Sequence, residues 1–348
     1  MHRRYQRHGF RVMILVAVLA FSGCRFTGWF DAASKATAAD AVDWLLTQQQ
    51  ADGGFEVAGF PGFETPDAVL AIAEDAQQQS KWSKAQAKAA VLAATTGGFS
   101  ALHAIDDLAD SPDLSAGQAA KLVVLVTKPL GDGATTYDPD GDGARNLKSV
   151  INAGAAPDGT YGAFNATLYA AIALRALNGT VPAATITAIR DAQGADGGWN
   201  FAGDPSLGFS DIDTTGLAVQ ALVAAKVPAS DPDVRGALSY LAESQGASGA
   251  WSSFGSDDPN STSVAVLAIT AAGYDPAAAC WRDVVAPAMA GDPYVSPIGW
   301  LRSQQAADGH IESPNDPFGV NTFATSQTVQ ALRRSSSPLF VTNGEACP

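Results

Sequence analysis

Basic residues, histidine and cysteine are scarce in this chain, and each shortage closes off a class of function. The 21 Lys and Arg face 35 Asp and Glu, which leaves a formal net charge of −14. No Lys/Arg stripe offsets that charge, so the surface repels phosphate backbones and nucleic acid is excluded as a partner. The four histidines (His2, His8, His103, His310) and three cysteines (Cys24, Cys280, Cys347) supply no cluster with zinc-ligand spacing. Hydrophobic residues make up 47% of the chain, yet the apolar run Val12 to Phe21 is too short to span a bilayer.

That run follows Arg3, Arg4, Arg7 and Arg11, the layout of a secretory signal. Residues 1–38 are therefore expected to hold a signal peptide and a short linker. Two endings fit. Phe21-Ser22-Gly23-Cys24 resembles a bacterial lipobox with Phe in place of the usual Leu, which predicts a lipid on Cys24 as the only membrane anchor. Ala36-Thr37-Ala38 fits the small-residue cleavage pattern instead. Both predict an exported protein, either a cell-surface lipoprotein or a secreted one. In an oxidising compartment Cys280 and Cys347 form a disulfide candidate, with two separate thiols as the alternative.

What the chain does have is a repeat, and a fixed period dictates architecture. Four copies of one phrase are legible: Gln49-Gln50-Ala51-Asp52-Gly53-Gly54-Phe55, Gln193 to Trp199, Gln245 to Trp251 and Gln305 to Ile311. Each leads through a polar loop to an Ala-rich helix. Aligning the helix starts puts Glu64, Leu114, Asn165, Asp213, Asn260 and Phe323 in one column, at intervals of 47 to 63 residues. Stretches such as Leu217 to Leu222 and Val264 to Ile269 are apolar nearly all round, which marks buried helices. More amphipathic helices, Ala39 to Gln50 and Val234 to Gln245 among them, precede most of the buried ones. A unit with one outer and one inner helix cannot bury its own apolar face, so neighbours must stack. The expected fold is all-α, an αα-toroid of six hairpins with inner and outer helix rings over residues 39–336, followed by a tail at 337–348. The segment Lys81 to Asp110 fits the repeat poorly and is expected to hold two short helices.

Trp44 to Phe55 resembles the QW repeat of squalene and terpene cyclases, and the other three copies are similar. The wider resemblance is to the prenyltransferase and squalene oxidase repeat superfamily, whose members share the αα-toroid. In cyclases of this kind the repeat is a structural clamp. The Gln amide can tie an outer helix to the next turn while the aromatic fills the groove beside it. The resemblance also implies where chemistry would sit. Protonating cyclases use Asp-x-Asp-Asp, and Asp211-Ile212-Asp213-Thr214 matches its first two acids while Thr214 replaces the third. Asp213 would be the proton donor. The competing expectation is that Asp213 caps its helix, as Asn165 and Asn260 do in the same column. Protein prenyltransferases need an Asp, Cys and His zinc set that this chain lacks, and a thioester Cys followed closely by Gln is absent too.

Two further sites follow from the residues. Asp138, Asp140 and Asp142 occupy positions one, three and five of a loop with Gly143 at six and Asn146 at nine, as in calcium loops. Ser149 stands where a bidentate Glu would complete the set, and the alternative is a solvated Gly-rich connection. The loops entering the inner helices carry Phe60, Phe63, Phe201, Phe209, Phe254 and Phe318 together with Asp204, Asp257 and Asp258. If the repeats superpose, these converge on one mouth suited to a small hydrophobic or amphipathic ligand, such as an isoprenoid, a lipid or a corrinoid-like molecule. Aromatics that simply fill the centre are the alternative. The two functions these readings allow are an exported binding protein and a terpene-cyclase-like enzyme using Asp211 and Asp213.

Overall fold

A computed structural model describes residues 27–334 except 58–59 and 78–80, with side chains from Thr37 onward. The leader, Cys24, Cys347 and the tail from 335 lie outside the described residues. The expected pairing of Cys280 with Cys347 therefore lies outside the described residues. No described helix is long and apolar enough to cross a membrane.

Fifteen helices dominate the described residues. The outer ones are α1 (Thr27–Thr47), α3 (Lys84–Ala93), α4 (Ala101–Asp110), α7 (Leu147–Ala153), α9 (Ala183–Asp191), α11 (Pro232–Ser244), α13 (Cys280–Val285) and α14 (Pro297–Ser303). The inner ones are α2 (Thr65–Asp75), α5 (Ala116–Leu122), α8 (Phe164–Asn178), α10 (Ile212–Ala224), α12 (Pro259–Ala271) and α15 (Thr322–Arg333). Helix α5 continues through a π-turn at Val123–Thr127 into α6 (Lys128–Leu130). The segment that broke the period holds α3 and α4, joined by the antiparallel pair β1 (Thr95–Thr96) and β2 (Phe99–Ser100). A second small hairpin pairs β3 (Ser252–Ser253) with β4 (Ser256–Asp257).

The inner helices bury nearly their whole surface because small and aliphatic side chains such as Ala68, Val69, Ala171, Ala218, Ala265 and Ala268 cover every face. Each packs on the next, and α15 returns to α2. At that seam the Gln330 Nε2 donates to the Asp67 carbonyl at 3.2 Å and the Arg333 Nη2 donates to the Gln77 carbonyl at 2.9 Å. The ring is closed.

Each repeated Gln makes the same two hydrogen bonds. Its Nε2 donates to a carbonyl in its own turn, at Gly53, Gly197, Gly249 or Gly309, and to a carbonyl of the neighbouring outer segment, at Ala94, Asp233, Val295 or Thr37. Gln305 thereby reaches Thr37 at 2.9 Å and joins the last hairpin to the first. Gly is needed in these turns for two reasons that coincide at Gly309. Its φ is +101°, and a Cβ there would lie 2.2 Å from the Asp40 carbonyl oxygen. The residue after each turn is buried and anchored by a threonine of the inner helix. The N–H groups of Phe55, Tyr161, Trp199, Trp251 and Ile311 donate to the hydroxyls of Thr65, Thr167, Thr215, Thr262 and Thr325 at 2.9 to 3.0 Å. The Trp199 and Trp251 indoles donate onward to carbonyls of the preceding outer helices, Ile189 and Leu241.

Candidate functional site

The inner ring encloses a cavity of about 890 Å³. Its walls are the faces of the six inner helices, with Val124 and Leu125 at the π-turn, Ile172 on α8, Leu217 on α10, Val264 and Leu267 on α12 and Phe323 on α15. The mouth is made by the loops entering the inner helices, which contribute Phe60, Phe63, Tyr161 and Phe201. One carboxylate shapes the first of these loops. Glu56 accepts four backbone N–H groups, from Gly62, Phe63, Glu64 and Thr65, at 2.9 to 3.1 Å. That bundle of hydrogen bonds fixes the backbone that carries Phe60 and Phe63.

Polar groups enter the cavity at a few points. Lys121 on α5 pairs with Asp67 on α2 at 2.7 Å, and its ammonium also donates to the Phe63 carbonyl at 2.6 Å. The same ammonium stands 5.2 Å from the Phe63 ring centre and 5.7 Å from that of Phe323, so the cation is held by two aromatic faces as well as by a carboxylate. Burial works to lower the Lys121 pKa, but the Asp67 charge and hydrogen bond outweigh it and the net displacement is upward. Gln330 from α15 donates to the same carboxylate at 3.3 Å. Tyr169, also lining the cavity, has its phenol pushed up to about 12 by burial, with Lys121 opposing. It stays a neutral hydrogen-bond donor.

The two acids of the Asp-x-Asp pair part company. Asp211 is the residue that caps α10: its carboxylate accepts from the Thr214 N–H at 2.7 Å and from the Thr214 hydroxyl at 3.0 Å. Its backbone N–H is spent on the Trp199 carbonyl. Asp213 is not a cap, contrary to the expectation from its column, because it is already the second residue of α10 and its carboxylate faces the cavity. The residue is exposed to the open space of the cavity, while protein surrounds it on its other sides. Burial pushes its pKa up to about 6, a hydrogen bond with Ser261 opposes that, and the charges of Asp211 and Asp258 add to it. In α12 the cap is likewise Asp258, not Asn260.

The other expected ligand residues divide by position. Phe60, Phe63 and Phe201 line the cavity. Phe318 packs against Phe60 and Phe209 against Phe201, with ring centres 5.7 and 6.2 Å apart, so both stand behind the lining. Phe254 is 96% exposed at the tip of the β3–β4 hairpin with φ +48°, and it is not part of the cavity wall because that hairpin turns its apex to solvent. Asp204 accepts from the Ser206 N–H and hydroxyl at a short 3-10 turn. Asp257 accepts from Ser248 and Ser252. Asp258 is buried and, besides capping α12, accepts from Ser313 and Asn315. These three acids build the loops rather than the cavity. Asp138, Asp140 and Asp142 do gather in space, while the Asn146 side chain caps α7 by accepting the Ser149 N–H at 2.9 Å. Asp67, Lys121, Tyr169 and Gln330 were missed by the sequence reading. Their signal is a polar or ionisable side chain on an inner helix.

No family model matches the sequence, and no curated protein does either. Solved structures do match. A type II terpene cyclase, MstE from Scytonema, superposes with a TM-score of 0.60 over 89% of this chain and 99% of its own, at 16% identity. The fold is that of the terpenoid-cyclase-like αα-toroids. A variant of the same cyclase in complex with geranylgeranyl dihydroxybenzoate matches with a TM-score of 0.59 at 15% identity, over the same shares of the two chains. A protein from Actinoplanes matches with a TM-score of 0.56 at 18% identity, over 87% of this toroid and 99% of that chain.

Proposed function

We propose that this toroid binds one amphipathic, isoprenoid-like small molecule in its central cavity. The cavity carries the reading. At about 890 Å³ it falls within the size of small-molecule sites, about 300–1,000 Å³. Its aliphatic and aromatic walls suit an extended apolar tail. The Lys121 and Asp67 pair, the Tyr169 phenol and the Gln330 amide gather hydrogen-bonding groups for a polar head. The Scytonema cyclase bound to a geranylgeranylated dihydroxybenzoate supports the same ligand class on the same fold. The arginines and apolar run of residues 1–24 support an exported site, tethered by a lipid on Cys24, and that part of the reading rests on sequence alone.

Native mass spectrometry of the purified protein mixed with geranylgeranyl dihydroxybenzoate is expected to show a one-to-one complex. Leu217→Trp, which fills the cavity from α10, should weaken it at least ~10-fold. Equal retention by the variant would remove the cavity from the proposal.

One observation favours a second reading, that of a cyclase: Asp213 projects into the cavity with a pKa of about 6. Its surroundings hold it protonated at mildly acid pH, so a proton is at hand where an alkene would lie. They also make it a weak acid, which is poor for protonating an unactivated alkene. Incubation of the wild type with geranylgeranyl dihydroxybenzoate or squalene, followed by mass-spectrometric product analysis, decides between the readings. On the cyclase reading Asp213→Asn loses all product and still binds. An inactive wild type that binds ligand leaves the carrier reading alone.

A further inference from the structure

Outside the cavity, four carboxylates meet on the flank of the ring with no Lys or Arg paired to them among the described residues. Asp138, Asp140 and Asp142 lie on a loop pinched shut at its base, where the Tyr137 and Arg145 backbones exchange hydrogen bonds of 3.0 and 2.7 Å. The fourth acid is Asp106, on α4. One oxygen from each of the four lies within 4.8 Å of every other. Asp106 is 1% exposed, and neither of its carboxylate oxygens has a well-formed hydrogen bond, the polar groups that reach it being the carboxyl and backbone of Asp140. A buried carboxylate so weakly satisfied is costly to desolvate, and three further acids beside it add repulsion. Among the described residues the one basic side chain within 4 Å of any of the four is His103, with Nδ1 3.8 Å from Asp140.

We infer that Asp106, Asp138, Asp140 and Asp142 bind a divalent cation, and that calcium is the ion they fit. The donors are all oxygen. Calcium takes 6–8 oxygens at about 2.3–2.6 Å, so two ligands on opposite sides of it stand roughly 4.8 Å apart, and the whole cluster can share one coordination sphere. Magnesium keeps several of its waters and uses one or two carboxylates, which leaves at least two of these acids unanswered. Within the loop the Asp138 and Asp140 carboxylates also accept the Gly141 and Asp142 N–H groups at 2.8 and 3.1 Å, leaving their remaining oxygens for the ion. The acid that the loop lacks at its twelfth position, where Ser149 stands, is supplied from a helix some thirty residues earlier in the chain, roughly as the EF-hand places its last Glu. Bound calcium ties α4, an outer helix of the second hairpin, to the connection that enters the third. It acts on the ring's stability and does not touch the cavity.

The test is calorimetric titration of metal-free, full-length protein with calcium chloride, with thermal unfolding alongside. One ion per chain is expected to bind, and saturating calcium should raise Tm by about 3–8 °C. Asp106→Asn should weaken calcium binding at least ~10-fold while leaving the metal-free Tm unchanged or higher, since it removes a buried charge. If that variant fails to fold, Asp140→Asn, on the exposed part of the loop, takes its place with the same expected loss. No heat and no Tm change with wild type, calcium affinity of wild-type strength in the variant, or magnesium binding as tightly as calcium, each overturns the assignment.

Discussion

Lys121→Met is expected to cost about 3–5 kcal/mol of stability, the range for removing one partner of a buried ion pair. The size follows from what is left behind. Asp67 is buried, and without the ammonium its carboxylate keeps only the Gln330 amide, at 3.3 Å. The Phe63 carbonyl loses a donor and the Phe63 and Phe323 rings lose the cation between them. The pair spans the contact between α2 and α5, so its loss also loosens the ring near the seam with α15. A buried pair exchanged as a unit for apolar groups of similar volume is often neutral. The double variant Lys121→Met with Asp67→Leu should therefore recover most of the loss. Denaturant midpoints of the three proteins measure this, and a single variant within about 1 kcal/mol of wild type would mean that the pair is solvated and not part of the core.

Stability should also fall as pH rises from about 5 to 8, opposite to the usual behaviour of paired carboxylates. Asp106 is one cause, its carboxyl raised to about 7 by burial and by the neighbouring Asp140, and Glu64 is the other. It sits at the start of α2 with a helical backbone and no capping bond, buried, and its pKa is raised from 4.5 to about 7. Burial is the largest influence, the Thr322 hydrogen bond opposes it, and the charges of Glu56 and Asp316 reinforce it. Because the folded pKa lies above the unfolded one, the folded state holds the proton more tightly. Its relative stability is retained below about 4.5 and is lost as pH climbs through 7. A shift of that size corresponds to about 3 kcal/mol. Asp213 adds to it with the same sign, attenuated because its side chain is exposed in the cavity. The lowered carboxyls Asp158, Asp204 and Asp308 titrate below the window. Glu64→Gln should lessen the fall between pH 5 and 8 and leave the part due to Asp106, and a variant whose midpoint falls as steeply as that of the wild type would show that Glu64 is not held in this way.

The ring was legible because its signals are local. The Gln and Gly turns and the apolar helices after them are each read within a dozen residues, and closure follows from burying every inner face. A fifth turn escaped notice at Ala155 to Tyr161. It has the same backbone closure, Ala156 N–H to the Thr160 carbonyl at 2.8 Å, but Ala155 replaces the Gln and the second Gly is missing. The caps were misplaced by two residues in α10 and α12, since Asp211 and Asp213 offer the same side chain on either side of the helix start. Lys121 with Asp67, and Asp106 with the 138–142 loop, are pairings between separate elements. A polar side chain in a helix can be read from the sequence, but its partner cannot, and only the packing of successive hairpins brings the two together. Aromatic loops predicted a mouth correctly at Phe60, Phe63 and Phe201, but the β3–β4 hairpin carries Phe254 away from it, a choice made by turn geometry.

The bond from Gln305 to Thr37 has one more consequence. The join between first and last hairpins is made by the same Gln contacts as three of the other joins, so a peptide-bond break at an exposed apex such as Phe254-Gly255 creates new ends without unmaking any neighbour's contacts. Chain continuity and the integrity of the circle are separate properties of this molecule: a nicked copy keeps its shape and its cavity, whereas a copy with one inner seam unpacked loses both while its backbone stays whole.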